Sequence, residues 1–133
     1  MHLTTPLTEL EFPFQVDLIL DAIIGYSLKG EPEGNAAILI KSANKAQAPI
    51  VSLDIPSGMD ASSGETYGDL TIKATATMTL GFPKTGFQNL ETKYYTGSLF
   101  LSDISVPVKL CEDLELGSIR KGIFRRGSII KIR

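Results

Sequence analysis

The sequence predicts an α/β fold built around a parallel sheet. Apolar, β-branched runs at residues 16–20, 49–53 and 75–80 are typical of buried strands. Between the first two runs, residues 34–48 carry apolar side chains at helical spacing. A strand, a helix and a strand in that order indicate a right-handed crossover between two parallel strands.

The segment after the first strand is predicted to form a loop and then a helix. The loop covers residues 21–30, because its glycines and the nearby Pro32 interrupt any helical pattern. The helix over 34–48 is predicted by apolar residues that recur at the spacing of one helix face, namely Ala37, Ile38, Ile40, Ala43 and Ala46. Pro49 ends this helix, since proline cannot continue its hydrogen bonding.

The second half of the chain alternates polar turns with further strands. In chain order these are a polar loop at 61–69, a strand at 75–80, a turn at 81–86, a short helix or turn at 87–93, a strand at 97–104 and an edge strand at 129–132. Strands outnumber helices in this pattern, although a parallel sheet needs cover on both faces. We therefore expect partner chains to supply that cover, or part of the domain to be missing.

The composition is that of one globular domain and argues against several classes of function. The chain has 133 residues and a formal net charge of −2, so nucleic-acid binding has no electrostatic support. No apolar run approaches the ~18 residues of a membrane span. Cys111 is the lone cysteine, which rules out an internal disulfide and leads us to expect a cytoplasmic protein. His2 is the only histidine, so neither a Ser-His-Asp triad nor a zinc site is expected.

The most informative segment follows the second predicted strand and runs from Asp54 to Asp60, with the sequence Asp-Ile-Pro-Ser-Gly-Met-Asp. In an open α/β sheet, ligands bind beyond the carboxyl ends of the strands. Asp54 and Ser57 can both aim oxygens into one small volume there. Such an arrangement suits a cation, a ribose or a proton-transfer centre. Asp60 is expected to cap the turn that follows it.

Asp21 ends the first predicted strand as Asp54 ends the second. If the strands are neighbours, both carboxylates lie at one sheet edge, where two like charges need a cation or a shared proton. The alternative, given equal weight, is that each aspartate caps the turn that follows it. Ser57 can add a hydroxyl ligand, and donor sets made only of oxygen suit alkali or alkaline-earth ions. Its alternative role is to satisfy the amides of the turn.

Two further features are candidates for contact with a ligand. Lys84 lies in a glycine-bounded turn after a strand, where it can meet a phosphate or assist proton transfer; the alternative is an exposed lysine. The loop Gly25-Tyr26-Ser27-Leu28-Lys29-Gly30 can bring backbone N–H groups close to an anion. The spacing around Lys84 does not match a Walker phosphate loop, so a nucleotide enzyme of that kind is rejected.

Taken together, these motifs resemble the NAD(P)H-hydrate epimerase family, the YjeF N-terminal domain that includes apolipoprotein A-I-binding protein. The matching segments are residues 17–25, residues 49–60 with their Leu-Asp-Ile-Pro-Ser-Gly core, the continuation to Gly64, residues 74–86 with their Pro-Lys pair, and residues 97–107. The resemblance covers most of the chain from about Val16 onward.

The resemblance implies a Rossmann-like three-layer α/β/α fold and the interconversion of the R and S forms of hydrated NADH or NADPH. The family binds a potassium ion, and by resemblance Asp21 and Ser57 are its ligands. Asp54 is similar to the family's substrate-binding and catalytic carboxylate. The Gly25 to Gly30 loop resembles the segment that lines the dinucleotide. Lys84, at the family's Pro-Lys position, is the second candidate catalytic residue.

The sequence departs from the family's pattern in its N-terminal portion. The family has an Asn-Asn-Gly-Gly-Asp-Gly segment that contributes to the potassium and substrate sites, and residues 1–15 hold no counterpart. We therefore expect an unmatched segment at 1–15 and the C-terminal portion of the domain at 16–133. It would act as a homo-oligomer or with a chain that supplies the missing part. The rival interpretation is a non-catalytic binding protein or inactive fragment on the same scaffold.

Overall fold

The computed structural model describes residues 16–113 and 123–133 and arranges them around a five-stranded sheet. The strands are β1 (Ile19–Asp21), β2 (Ile50–Leu53), β3 (Ala76–Leu80), β4 (Ser98–Ser102) and β5 (Ile129–Lys131). The helices are α1 (Gly34–Lys45), α2 (Lys93–Thr96) and α3 (Val108–Asp113). The strands lie side by side in chain order, with β1 to β4 parallel and β5 antiparallel to β4. The predicted α/β class with a mostly parallel sheet is confirmed.

The boundaries of the elements differ from the predicted ones by a few residues. β1 begins at Ile19 rather than at residue 16, because its pairing with β2 starts where the Ile19 N–H donates to the Pro49 carbonyl at 3.0 Å. Pro49 has no N–H with which to extend that ladder. α1 ends at Lys45, and the next residue is already extended. Among the described residues, no helix has both the length and the apolar character that crossing a bilayer requires.

The buried core lies on one face of the sheet. One apolar cluster packs Ile40 of α1 against Ile50 of β2. A second cluster packs Phe87 against Leu99 of β4. Leu99 of β4 pairs with Thr77 of β3, and Thr77 pairs with Ser52 of β2. Ser52 lies two residues after Ile50 on β2. Because side chains alternate along a strand, both clusters therefore cover the same face.

The opposite face of the sheet, called the open face below, is mostly apolar and partly exposed. Its apolar side chains alternate with the buried positions of β1 to β4 and are Leu20, Val51, Leu53, Ala76, Met78, Leu80 and Phe100; Ser98 and Ser102 lie on the same side. Leu20 is 64% exposed and Leu53 36%, whereas the other five apolar residues are half-buried. Within residues 16–113 and 123–133, no buried apolar cluster forms on this side. This face is therefore less fully covered than the core face, in line with the surplus of strands.

Candidate functional site

The carboxyl ends of β1 and β2 meet at one edge of the sheet. β1 pairs with β2 in parallel, and Asp21 lies opposite Ser52. Asp54 follows two residues after Ser52, directly beyond the end of β2. The structure therefore confirms that the two strands are neighbours and that Asp21 and Asp54 lie at the same edge. Each carboxylate nevertheless has partners of its own.

Asp21 is buried, with 2% of its surface exposed, and both of its carboxylate oxygens accept hydrogen bonds. Oδ2 accepts from the Ser52 hydroxyl at 2.7 Å and from the Ser57 N–H at 2.9 Å. Oδ1 accepts from the Ser57 hydroxyl at 2.6 Å and, more weakly, from the Ile23 N–H at 3.4 Å. These bonds offset the cost of burying a carboxylate. The turn-capping alternative accounts only for the weak bond to Ile23.

The Ser57 hydroxyl lies among several polar atoms. It accepts the Ile24 N–H at 2.8 Å and lies 3.2 Å from the Ile24 carbonyl. A hydroxyl has one proton, so it cannot donate to this carbonyl and to Asp21 at once. The Asp21 Oδ1, the Ser57 Oγ and the Ile24 carbonyl thus form a cluster of oxygens, the ligand type that hard cations prefer. The described residues contain no group of three or more His, Cys, Asp or Glu placed to hold a metal ion.

The segment behind Ser57 holds the loop in place and explains the glycine at position 58. The Ile72 N–H donates to the Ser57 carbonyl at 2.8 Å, and the Thr71 hydroxyl donates to the Gly58 carbonyl at 2.8 Å. Gly58 has a φ of +89°, and a Cβ at this position would lie 2.0 Å from the Leu70 carbonyl oxygen. Only glycine fits so close an approach of two backbones. Residues 55–59 are accordingly all buried.

Asp54 forms an ion pair with Lys84 at the same edge of the sheet. Lys84 Nζ lies 2.6 Å from Asp54 Oδ1, and each side chain is about one-fifth exposed. Nζ also donates to the Leu80 carbonyl at 3.3 Å and to the Phe82 carbonyl at 3.2 Å. The alternative that Lys84 is merely an exposed lysine is therefore wrong. The structure brings the two candidate catalytic residues into direct contact.

Two neighbouring groups also bind Asp54 Oδ1. The Leu80 N–H donates to it at 3.0 Å, and the buried Thr79 hydroxyl donates at 3.2 Å. The Phe82 carbonyl lies 3.5 Å from the same hydroxyl, and the shorter distance favours Asp54 as the acceptor of its one proton. Asp54 itself has a φ of +71°, in the left-handed region that few residues other than glycine adopt. Aspartate tolerates this region better than most side chains, and strained backbone often marks functional sites.

The sequence analysis did not identify Ser52 or Thr79 as residues of the candidate site. Both are polar residues in apolar strands, and both are fully buried. Each hydroxyl donates to a site carboxylate, Ser52 to Asp21 and Thr79 to Asp54. The sequence pattern that could have predicted them is a hydroxyl residue on the buried face near the carboxyl end of a parallel strand. Such a residue needs a hydrogen-bond partner, because buried polar groups are paired.

The Gly25 to Gly30 loop leaves β1 beside the oxygen cluster and is mostly exposed. Ile24, which precedes it, donates its N–H to the Ser57 hydroxyl, and its carbonyl lies 3.2 Å from the same oxygen. Tyr26 is 76% exposed, and Gly30 adopts a φ of +75°. The start of the loop is therefore held by the hydrogen bond between Ile24 and Ser57, while most of its residues are exposed to solvent. Its contact with a dinucleotide stays a prediction.

Asp60 caps the turn after the loop, as the sequence predicts. Its Oδ1 accepts the Ser62 N–H at 2.9 Å, and the Ser63 N–H and hydroxyl at 2.7 and 2.9 Å. These hydrogen bonds, those from Ser63 first, lower the pKa of Asp60. Asp60 is therefore a structural residue of the turn and stands apart from the Asp21 and Asp54 clusters.

The fold is that of an α/β protein with a mostly parallel sheet, and its candidate site lies beyond the carboxyl ends of adjacent parallel strands, where such proteins bind ligands. Residues 2–86 match the family described as YjeF-related protein N-terminus. The chain belongs to this family.

Curated relatives give the same family assignment. A protein of Dehalogenimonas lykanthroporepellens named NAD(P)H-hydrate epimerase is 45% identical over 93 residues, which cover 70% of this chain and 36% of the relative. Its namesake from Weissella koreensis is 36% identical, with 77% of this chain and 46% of the relative covered. A bifunctional NAD(P)H-hydrate repair enzyme of Moorella thermoacetica is 40% identical, with 71% of this chain and 18% of the relative covered. The chain thus spans less than half the length of each.

Proposed function

We propose that this chain carries the active site of an NAD(P)H-hydrate epimerase, which interconverts the R and S forms of hydrated NADH or NADPH. The observation that carries the proposal is the Asp54 carboxylate, held at the end of β2 on the same sheet edge as the Asp21–Ser57 oxygen cluster. Relatives that match 70% and 77% of this chain bear the epimerase name. Because the chain covers only part of their length, the activity itself is the hypothesis.

The reaction requires a group that moves a proton near one carbon of the substrate. The epimerised carbon carries a hydroxyl and adjoins the ring nitrogen. Its configuration is lost when hydroxide leaves or when the ring opens, and each route transfers a proton at that hydroxyl. A carboxylate within hydrogen-bond reach is a suitable general acid or base. Asp54 takes this role, and its ion pair with Lys84 presents it as a proton acceptor.

A potassium ion is the cofactor we propose for the oxygen cluster. Asp21 and Ser57 would hold it, with the Ile24 carbonyl as a further oxygen close to both. The donor set fits, since it combines carboxylate, hydroxyl and carbonyl oxygens and no nitrogen or sulfur. When bound, the ion would supply positive charge beside the reacting hydroxyl. Ser52 would keep Asp21 oriented through its hydrogen bond to Oδ2.

The Gly25 to Gly30 loop is proposed to line the dinucleotide. It is separated from the end of β1 by three residues and lies at the carboxyl edge of the sheet, where open α/β sheets bind their ligands. Its exposed Tyr26 and backbone N–H groups suit contact with a ring and a pyrophosphate. A cytoplasmic location, suggested by the lone Cys111, is part of the same proposal.

We further propose that the open face mediates association with a second copy of the chain. An exposed apolar surface on a sheet favours a partner, because burying it removes apolar area from water. The seven apolar residues of the open face are uncharged, and Lys131 of β5, which pairs with Phe100, lies at the margin of this face. The alternative is that the open face binds a different chain, one that corresponds to the rest of the relatives' length. A measurement of oligomeric state distinguishes the two, because the second-copy proposal requires the chain to associate with itself.

The test of the proposed activity uses the purified chain, the R form of hydrated NADPH and potassium chloride. The appearance of the S form is followed by chromatography against a protein-free control. Turnover faster than the spontaneous rate supports the epimerase. Saturable binding of the hydrate without turnover would favour the rival interpretation, a binding protein on the same scaffold.

A further inference from the structure

The two oxygens of the Asp54 carboxylate have different surroundings. Oδ1 receives Lys84 Nζ at 2.6 Å, the Leu80 N–H at 3.0 Å and the Thr79 hydroxyl at 3.2 Å. Within the described part of the chain, Oδ2 accepts no hydrogen bond, and it is not among the buried atoms that lack a partner. Oδ2 is therefore the oxygen that faces solvent and any bound substrate.

We propose that Thr79 is a positioning residue that fixes the Asp54 carboxylate so that Oδ2 alone exchanges the proton with the substrate hydroxyl. This inference rests on the proposed epimerase function and assigns the reacting atom within it. Thr79 does not touch the substrate in this arrangement. It acts through Asp54, together with the Leu80 N–H and Lys84.

The contacts of Asp54 Oδ1 explain how the Thr79 hydroxyl on β3 helps to fix the orientation of the carboxylate. The carboxyl torsion of aspartate is broad and nearly two-fold, so a lone carboxylate readily exchanges its two oxygens by rotation. Two hydrogen bonds and an ion pair on one oxygen restrict that rotation. The Leu80 N–H belongs to β3 itself, and the Thr79 side chain is fully buried in the same strand. Both donors are thus held by the sheet and not by a mobile loop.

Lys84 is held in the same arrangement. Its ammonium group forms an ion pair with Asp54 Oδ1 and donates hydrogen bonds to the carbonyls of Leu80 and Phe82. We therefore assign Lys84 the role of anchoring Oδ1. The candidate catalytic pair thereby divides into one reacting residue and one anchoring residue.

The resulting proton path balances without an additional reactant. In the ring-opening route, Oδ2 accepts the hydroxyl proton, a C=O bond forms, and the C–N bond breaks with its electron pair moving to the ring nitrogen. The same carboxyl then gives its proton to that nitrogen. Closure on the opposite face of the carbonyl reverses these steps and yields the other epimer.

The test compares three variants of the full chain. Thr79→Val keeps the shape of the side chain and removes the hydroxyl, whereas Thr79→Ser keeps the hydroxyl. Thr77→Val is the matched control, because Thr77 is equally buried on the same strand and its hydroxyl donates to the Thr96 carbonyl, away from Asp54. We expect Thr79→Val to lower kcat by ~10-fold or more with KM within about twofold, since it weakens the orientation of the reacting group.

The controls separate positioning from stability. Thr79→Ser should recover most of kcat, and Thr77→Val should leave kcat near the wild-type value even if it lowers Tm as much as Thr79→Val does. A normal kcat in Thr79→Val would overturn the inference. It would also be overturned if Thr79→Ser were as slow as Thr79→Val, because the methyl group rather than the hydroxyl would then matter.

A second measurement does not depend on turnover. The carboxyl ¹³C resonance of Asp54, assigned from its absence in Asp54→Asn, should shift in Thr79→Val and stay close to wild type in Thr77→Val. An unchanged resonance in Thr79→Val would overturn the positioning role whether or not the chain is active. Absence of turnover in the wild-type chain would instead count against the proposed function, and the resonance would still decide whether Thr79 orients Asp54.

Discussion

The Ser57 hydroxyl lies 2.6 Å from Oδ1 of Asp21 and the Ser57 N–H lies 2.9 Å from Oδ2, so two buried hydrogen bonds join the end of β1 to the loop after β2. The same hydroxyl accepts the Ile24 N–H, which fixes the start of the Gly25 to Gly30 loop. Two candidate metal ligands and the candidate substrate loop therefore form a single connected unit. A change at Ser57 should affect cation binding and the substrate loop together.

Gly58 should be the least replaceable residue of this unit. Gly58→Ala would place a Cβ 2.0 Å from the Leu70 carbonyl oxygen, in addition to the strain of a φ of +89°. We expect a loss of roughly 3 kcal/mol or more in the free energy of unfolding, measured by urea denaturation.

Gly30→Ala is the matched control for that measurement. Gly30 has a similar φ of +75°, but a Cβ there meets no atom within 4 Å. Its loss should be about 1–2 kcal/mol, the cost of the left-handed conformation alone. Equal losses in the two variants would show that the contact between Gly58 and Leu70 does not constrain the loop.

The turn capped by Asp60 should contribute to stability in a pH-dependent way. Hydrogen bonds from Ser63 and Ser62 lower the pKa of Asp60 from its ordinary value of 3.8. Its contribution is therefore present above that value and is lost as the pH falls through the lowered folded-state pKa. The difference in Tm between wild type and Asp60→Ala should narrow as the pH is reduced below about 3.8. A difference that stays constant down to strongly acidic pH would contradict this role.

Ser57→Ala should weaken the response to potassium. The variant removes one proposed ligand and leaves the buried Asp21 Oδ1 with only the weak Ile23 bond. We expect the potassium concentration for half-maximal rate to rise at least ~10-fold, since losing a bond to a buried charged group costs about 1.5–3 kcal/mol. The measurement is the epimerisation rate against KCl at constant ionic strength.

Ser63→Ala serves as the control for the potassium experiment. Ser63 lies in the exposed turn and contacts Asp60, outside the oxygen cluster. Its potassium response should match wild type. A Ser57→Ala variant with an unchanged response, or a wild type that responds equally to sodium, would remove the case for a potassium site here.

The open face should control the oligomeric state. Leu20→Lys places a charge on this face, opposite the buried side that carries Asp21. We expect it to shift the chain toward monomer in sedimentation equilibrium. Leu90→Lys, at a residue that is 83% exposed at the start of a short 3₁₀ helix (Leu90–Thr92), should leave association unchanged. If the wild-type chain is a monomer at all accessible concentrations, the second-copy proposal is wrong.

Most of the fold could be predicted from the sequence, because apolar runs and helical spacing mark β1, α1, β2 and β3 directly. The surplus of strands also predicted an uncovered face. The start of β1 was missed since it depends on pairing with Pro49, which is not a local property. Sequence patterns report local preference, whereas the limits of a strand depend on its neighbour.

The candidate site could be predicted in part from the sequence. Asp21 and Asp54 follow from their places at the ends of adjacent strands, Ser57 from the loop beyond the second strand, and Lys84 from its glycine-bounded turn. The contacts of Asp54 with Lys84 and Thr79 could not be predicted. They depend on the register of β2 with β3 and on the turn after β3, which no local pattern encodes.

The most direct test of the account is the epimerisation rate of Asp54→Asn relative to wild type, measured with the R form of hydrated NADPH and potassium. Asparagine keeps nearly the same shape and tolerates the positive φ of this position, so the fold should survive, as checked by Tm. Losing a general acid or base should lower the rate by about 10²–10⁴-fold, while Asp60→Asn should remain active. A folded Asp54→Asn variant with a near-normal rate would contradict the central role of Asp54.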